Sequence, residues 1–200
     1  MLGGSMKDFF HRYSYSIVKM FINQFAISIF GTMLSMATTA TNNDTFTLAV
    51  SIFSIVFYLF LLYTMIWEIG AKDKISVDVG KRPYRPLTGL YMGLLANTPN
   101  LLFALLYAIG YPFMGTQAWA GTMNAIVKLY TVIFEGMYLG VTAVLPLGAA
   151  VKLGSMWWTY FAITVPAIAT VTLAYYIGHK DFRFFAFLAS KKKASGTEKK

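Results

Sequence analysis

Asn97-Thr98-Pro99-Asn100 interrupts an otherwise apolar stretch. Asn97 and Asn100 lie three residues apart, so a helix puts both amides on one face, where each can donate and accept. Asn23 and Gln24 interrupt a second apolar stretch at a comparable depth from its end. With Thr98 and Glu135 these residues form a candidate polar patch able to bind a small solute or ion. The plainer reading is hydrogen bonding between helices, worth about 1 kcal/mol per bond. It is preferred for the amides, because no acid joins them at that depth. Glu135 is the one acid well inside an apolar segment, and an ionisable group in lipid is a functional candidate by default. Its plainer reading, also preferred, is a wet interfacial position with a loose pairing to Lys128, one heptad earlier. Glu68 and Lys72, four apart, read as an ordinary exposed helix pair.

Other chemistry is hard to find. There is no cysteine, hence no disulfide, thiolate metal site or cysteine nucleophile. His11 and His179 lie near opposite ends of the chain with no metal-ligand spacing around them. No phosphate-binding glycine loop, dinucleotide fingerprint, nucleophile elbow or catalytic carboxylate pair occurs. The expectation is therefore a protein with no cofactor, no metal and no catalysis of its own.

The elements that must position these residues follow from composition. Of 200 residues 57% are hydrophobic and 12% charged, with a mean hydropathy of +0.57. A soluble domain carries about a quarter charged residues, so this chain is expected to face lipid. Five segments approach the roughly 20 apolar residues a spanning helix needs. They are residues 16–40, 46–69, 87–111, 124–147 and 156–178. The polar link Thr41 to Thr45 makes the first two antiparallel neighbours, with Asp44 or Thr45 as the cap. In the longer link 70–86, the alternation Ile75-Ser-Val-Asp-Val79 reads as a short extended stretch, with Gly80 as a turn.

Positive residues beside spans stay in the cytoplasm. Residues 1–20, 70–87 and 179–200 hold fifteen of the 17 basic residues, and the link 41–45 holds none. All three rich regions are expected inside, which requires an even number of crossings. The segment 124–147 is the one to demote. It alone carries two charges, and Lys128, Thr131, Glu135, Tyr138 and Thr142 make a narrow polar stripe at helical spacing. The expected architecture is an all-α integral membrane protein with four transmembrane helices and one interfacial or re-entrant helix, both termini cytoplasmic. Residues 1–15 form a cytoplasmic segment, 16–188 one polytopic membrane domain, and 189–200 a basic disordered tail. The first residues do not read as a cleavable signal peptide. Trp157, Trp158, Tyr160, Tyr175 and Tyr176 mark the ends of the last span, Tyr63 and Trp67 the inner end of the second, and Tyr107 and Tyr111 the outer end of the third.

The net charge of +9 points to anionic lipid headgroups rather than nucleic acid, since the cations flank apolar segments. Lys191, Lys192 and Lys193, behind the aromatic run that ends at Leu188, are the expected headgroup contacts. Gly89 with Gly93, and Gly136 with Gly140, have the spacing that lets helices approach closely. The expected function is a small accessory or scaffold subunit that packs on a membrane partner, or on itself, through those glycine faces and the basic loop. The alternative is a small transporter or channel subunit using the polar patch. The expected location is a cell membrane, multi-pass, in a bacterium.

Overall fold

The buried residues of the second helix are Thr47, Ser51, Ser54, Tyr58, Leu62, Ile66, Gly70 and Asp73, recurring every three or four positions, while Ile52, Phe53 and Val56 point outward. In the first half of the helix small and polar residues thus face the interior, with Tyr58, Leu62 and Ile66 continuing the buried face, while other large apolar residues face the surroundings. That inversion suits helices whose outer surface meets lipid and whose inner faces need close approach. The first helix buries Phe9, Tyr13 and Met20 in its first half and Gln24, Ser28, Gly31 and Thr38 in its second.

A computed structural model describes residues 6–146 and 151–180. Its helices are α1 (Met6–Thr39), α2 (Asp44–Asp78), α3 (Thr88–Ala96), α4 (Thr98–Gly110), α5 (Ala118–Phe134), α6 (Leu139–Val144) and α7 (Thr159–His179). Short 3₁₀ turns join several of them, and no strand occurs among the described residues. Three helices, α1, α2 and α7, are long and apolar enough to cross a membrane, and the number rises to five if the pairs α3–α4 and α5–α6 each count as one span.

The turn between α1 and α2 is built on Asn42, in the left-handed region at φ 51°, and on Asn43, whose side chain accepts from the Phe46 N–H at 3.0 Å. Asn43 is thus the cap, where Asp44 or Thr45 was expected; it alone combines extended backbone with a side-chain oxygen at the first free N–H groups. The expected extended stretch at 75–79 is helix instead, because α2 continues to Asp78. Ile75 and Val79 fall one turn apart on a helix, so their spacing serves both geometries. The helix stops where Gly80 takes φ +72°, with the Gly80 N–H on the Val77 carbonyl and the Lys81 N–H on the Ser76 carbonyl. This is a Schellman cap, and glycine adopts its left-handed residue without strain.

At 34 and 35 residues, α1 and α2 are each about 50 Å long. They overshoot a hydrocarbon core of about 30 Å. The start of α1, the 79–87 loop and the end of α7 meet at one end of the bundle, where Arg12, Arg82, Arg85 and Tyr175 line a common cavity. We term this the basic end. The α1–α2 turn marks the opposite end.

From the basic end, α3 runs antiparallel to α7. A side chain on Gly89 would meet Tyr175 and Thr172, and one on Gly93 would meet Ile168 and Val171. The chain bends by 59° between α3 and α4, where Pro99 withholds an N–H from the helical ladder, and continues to Tyr107, whose ring packs on Tyr160 at 4.5 Å. Tyr107, Tyr160 and Tyr175 are buried, so they belong to the core rather than to the aromatic belts expected at span ends; Trp157, Trp158 and Tyr176 are exposed.

The segment expected as one helix over 124–147 is two. α5 begins at Ala118, ends at Phe134, and is followed by a 97° bend. α5 runs toward the basic end and α6 returns toward the opposite one. Gly136 lies against Ser28 and Thr32 of α1, and Gly140 against Thr47 and Ser51 of α2. The polar stripe faces inward. Thr131, Glu135, Tyr138 and Thr142 are buried and only Lys128 is exposed, which removes the expectation of a helix resting with this stripe in water.

Candidate functional site

A helix that ends inside a protein leaves carbonyls without intrahelical partners. At the end of α5 they are met by side chains from α1. Gln24 Nε2 donates to the Phe134 carbonyl at 3.1 Å, and Thr32 Oγ1 to that of Val132 at 2.8 Å. Across the bend, Ser51 Oγ of α2 donates to the Met137 carbonyl at 2.7 Å and accepts from the Val141 N–H at 3.2 Å. Ser28 Oγ of α1 also accepts from the Gly136 N–H, so the break is a built feature, held by four hydroxyl or amide side chains more than eighty residues away in sequence.

Glu135 sits at this break, 3% exposed. Its Oε1 accepts from Thr164 Oγ1 of α7 at 3.3 Å, a long bond. Tyr58, Tyr130, Tyr138 and Tyr160 lie within range of its charge. No ion pair reaches it among the described residues, whose salt bridges are Arg12–Asp73 and Lys72–Glu68. This corrects the expected pairing with Lys128, which points outward while Glu135 points into the core. The Tyr138 phenol, buried beside it, has no hydrogen-bond partner among the described residues.

A second polar chain lies on the α4 side. Asn97 Nδ2 donates to the Gly93 carbonyl at 2.9 Å, Asn100 Nδ2 to Asn97 Oδ1 at 3.0 Å, and the Tyr130 hydroxyl to Asn100 Oδ1 at 2.6 Å. Tyr130 thus carries the line of polar groups from the break in α3–α4 to the neighbourhood of Glu135. Of the expected patch, Gln24, Asn97, Asn100 and Glu135 are buried toward the bundle interior. Asn23 is half-buried and contacts the Met65 sulfur at 3.6 Å. Thr98 is exposed, and its hydroxyl donates across the break to the Leu94 carbonyl of α3 at 3.1 Å. Lys191, Lys192 and Lys193 lie outside the described residues.

As neighbours of Glu135 the tyrosines other than Tyr138 escaped the sequence reading, which placed Tyr160 at a span end, because Tyr58, Tyr130 and Tyr160 come from three helices with no common spacing. Also missed was a cluster at the basic end. The carboxylate of Asp73 accepts from Arg12, from Tyr13 and, at 2.9 Å, from Tyr175. In the adjacent loop Tyr84 stacks on His179 at 4.2 Å, and partial burial, then the nearby Tyr176, raises its phenol pKa above the ordinary value. Among the described residues no three of His, Asp and Glu gather in metal-binding geometry.

No family model matches the chain, and no curated protein or solved structure matches it. Fold and site define a class: an all-helical protein with three to five helices able to cross a membrane. Within it, an acid without a cationic partner among the described residues is held at the meeting point of a broken helix and the α7 helix.

Proposed function

We propose that this is a multi-pass membrane protein that passes a proton or small cation through the Glu135 cluster, acting as a small transporter or channel subunit. The observation that carries the reading is Glu135 itself, buried with one long hydroxyl bond and no basic partner among the described residues. A carboxylate so placed is costly unless it takes up a proton or a cation. The nearby Tyr138 phenol, without a hydrogen-bond partner among the described residues, offers a further ligand.

The same reading has α1, α2, α3–α4 and α7 crossing and α5–α6 entering and leaving by the opposite end as a re-entrant hairpin. Both termini then lie with the basic end in the cytoplasm of a bacterial cell. The co-location of the start of α1, the 79–87 loop and the end of α7 supports it, as does the rule that cations stay inside. Irregular backbone at membrane depth is tolerated where protein surrounds it, and Gln24, Thr32 and Ser51 surround this bend.

The accessory-subunit reading is the second. Its support is that many of the polar contacts satisfy backbone groups at helix breaks, as a purely architectural network would. Its weakness is that both glycine pairs expected to meet a partner are packed within the chain.

The test is flux into liposomes holding a pH-sensitive dye, driven by a potassium gradient and valinomycin. Protein-bearing vesicles should acidify faster than empty ones. Glu135→Gln should return the rate to that of empty vesicles while the protein stays folded. A folded wild-type protein with no flux of protons, sodium or potassium would sink the proposal. A stoichiometric partner in gentle co-purification would then favour the accessory reading.

A further inference from the structure

The chain has four arginines among its 17 basic residues, and three of them line one cavity. The cavity, about 350 Å³, lies at the basic end between α1, α2, the 79–87 loop and α7. We infer that it binds a phosphate group, carried either by the headgroup of an anionic phospholipid or by a small soluble phosphate ester.

Asp73 is saturated by Arg12, Tyr13 and Tyr175. It therefore anchors Arg12 at the wall, and a guanidinium has five N–H donors, more than this one contact uses. Arg82 and Arg85 have no side-chain partner among the described residues, and they sit on a stretch stiffened by Pro83 and Pro86. The other acid of the lining, Asp8, is exposed, where water and salt screen it. His11 adds a further ring N–H donor to the lining. The lining thus holds a surplus of positive charge.

Arginine's planar fork matches two phosphate oxygens at once, whereas lysine offers a point charge. That selectivity gives meaning to finding arginines here and lysines elsewhere. The volume falls at the lower end of small-molecule sites, so there is room for the alcohol part of an ester as well as the phosphate. The site is separate from Glu135, and either could fail without the other.

The test uses the full chain in neutral detergent, titrated with glycerol 3-phosphate or with glycerol and followed by thermal unfolding. In a second arm the protein is placed in nanodiscs of phosphatidylcholine with or without phosphatidylglycerol. Stabilisation by glycerol 3-phosphate but not glycerol assigns a soluble ester. Stabilisation by phosphatidylglycerol alone assigns a lipid headgroup. In the arm that responds, R82Q/R85Q should weaken apparent affinity by about tenfold or more, and K128Q, at an exposed lysine of α5, should not. The single Arg82→Gln, at an exposed loop position, carries the comparison if the double variant fails to fold. The inference is overturned if neither probe stabilises the protein, if the loop variants bind as wild type does, or if K128Q loses as much as they do.

Discussion

Tyr130 shows how single contacts tie the site together. Its hydroxyl donates to Asn100 Oδ1 at 2.6 Å, its ring stacks on Phe103 at 3.8 Å, and it sits about one helical turn before the break at Glu135. Removing only the hydroxyl leaves an amide oxygen of a buried residue short of a donor. Tyr130→Phe is therefore expected to destabilise the folded protein by about 1 kcal/mol, read as a lower melting temperature in detergent. It should also slow flux less than Glu135→Gln does, since it disturbs the neighbour of the acid and not the acid. An unchanged melting temperature would mean that water or a rearranged amide replaces this bond.

At the scale of elements, the bend between α5 and α6 depends on close approach to α1. A Cβ on Gly136 would collide with Thr32 Oγ1 and lie 2.5 Å from the Ser28 carbonyl oxygen, which is backbone and cannot swing aside. Gly31 faces the bend from the α1 side, where an added Cβ would lie 2.5 Å from the Met137 Cα. Gly136→Ala is expected to cost about 2 kcal/mol through overpacking, checked by thermal unfolding. Flux should fall with it, because the bend that presents Glu135 moves. Gly121, on the exposed surface of α5 with open space around it, is the matched control, and Gly121→Ala should leave stability unchanged or raise it slightly. Equal losses at both positions would show that α5 itself, rather than its seat on α1, limits stability.

At the scale of the whole molecule, the chain's lack of cysteine makes single-cysteine labelling free of background. The four-crossing arrangement predicts labelling from outside at Asn43, Thr116 and Lys152, and protection at Ser76. Thr116 and Lys152 flank the α5–α6 pair and both are exposed, so they decide between the arrangements. If α5–α6 crossed the membrane, the two would label from opposite sides. Intact cells probed with an impermeant maleimide, with permeabilised cells as reference, make the measurement.

Composition and the spacing of apolar residues were enough to establish a helical chain with membrane-length segments, because backbone groups in lipid have few ways to be satisfied and a helix satisfies them locally. The 59° bend beside Pro99 is local in origin too, since the ring removes an N–H from whatever helix it joins. The positions of Asn97, Asn100 and Gln24 as buried polar residues were also readable, since such side chains interrupt apolar runs conspicuously. What the linear chain could not reveal is which groups meet. Asp73 joins Arg12 and Tyr175 across 61 and 102 residues, and Gln24 caps a helix 110 residues away. The surroundings of Glu135 were decided in the same way. Periodicity placed the acid on a polar stripe, but whether that stripe faced water or the core depended on a bend whose freed carbonyls needed donors from α1 and α2. Only the packed bundle brings those donors to it.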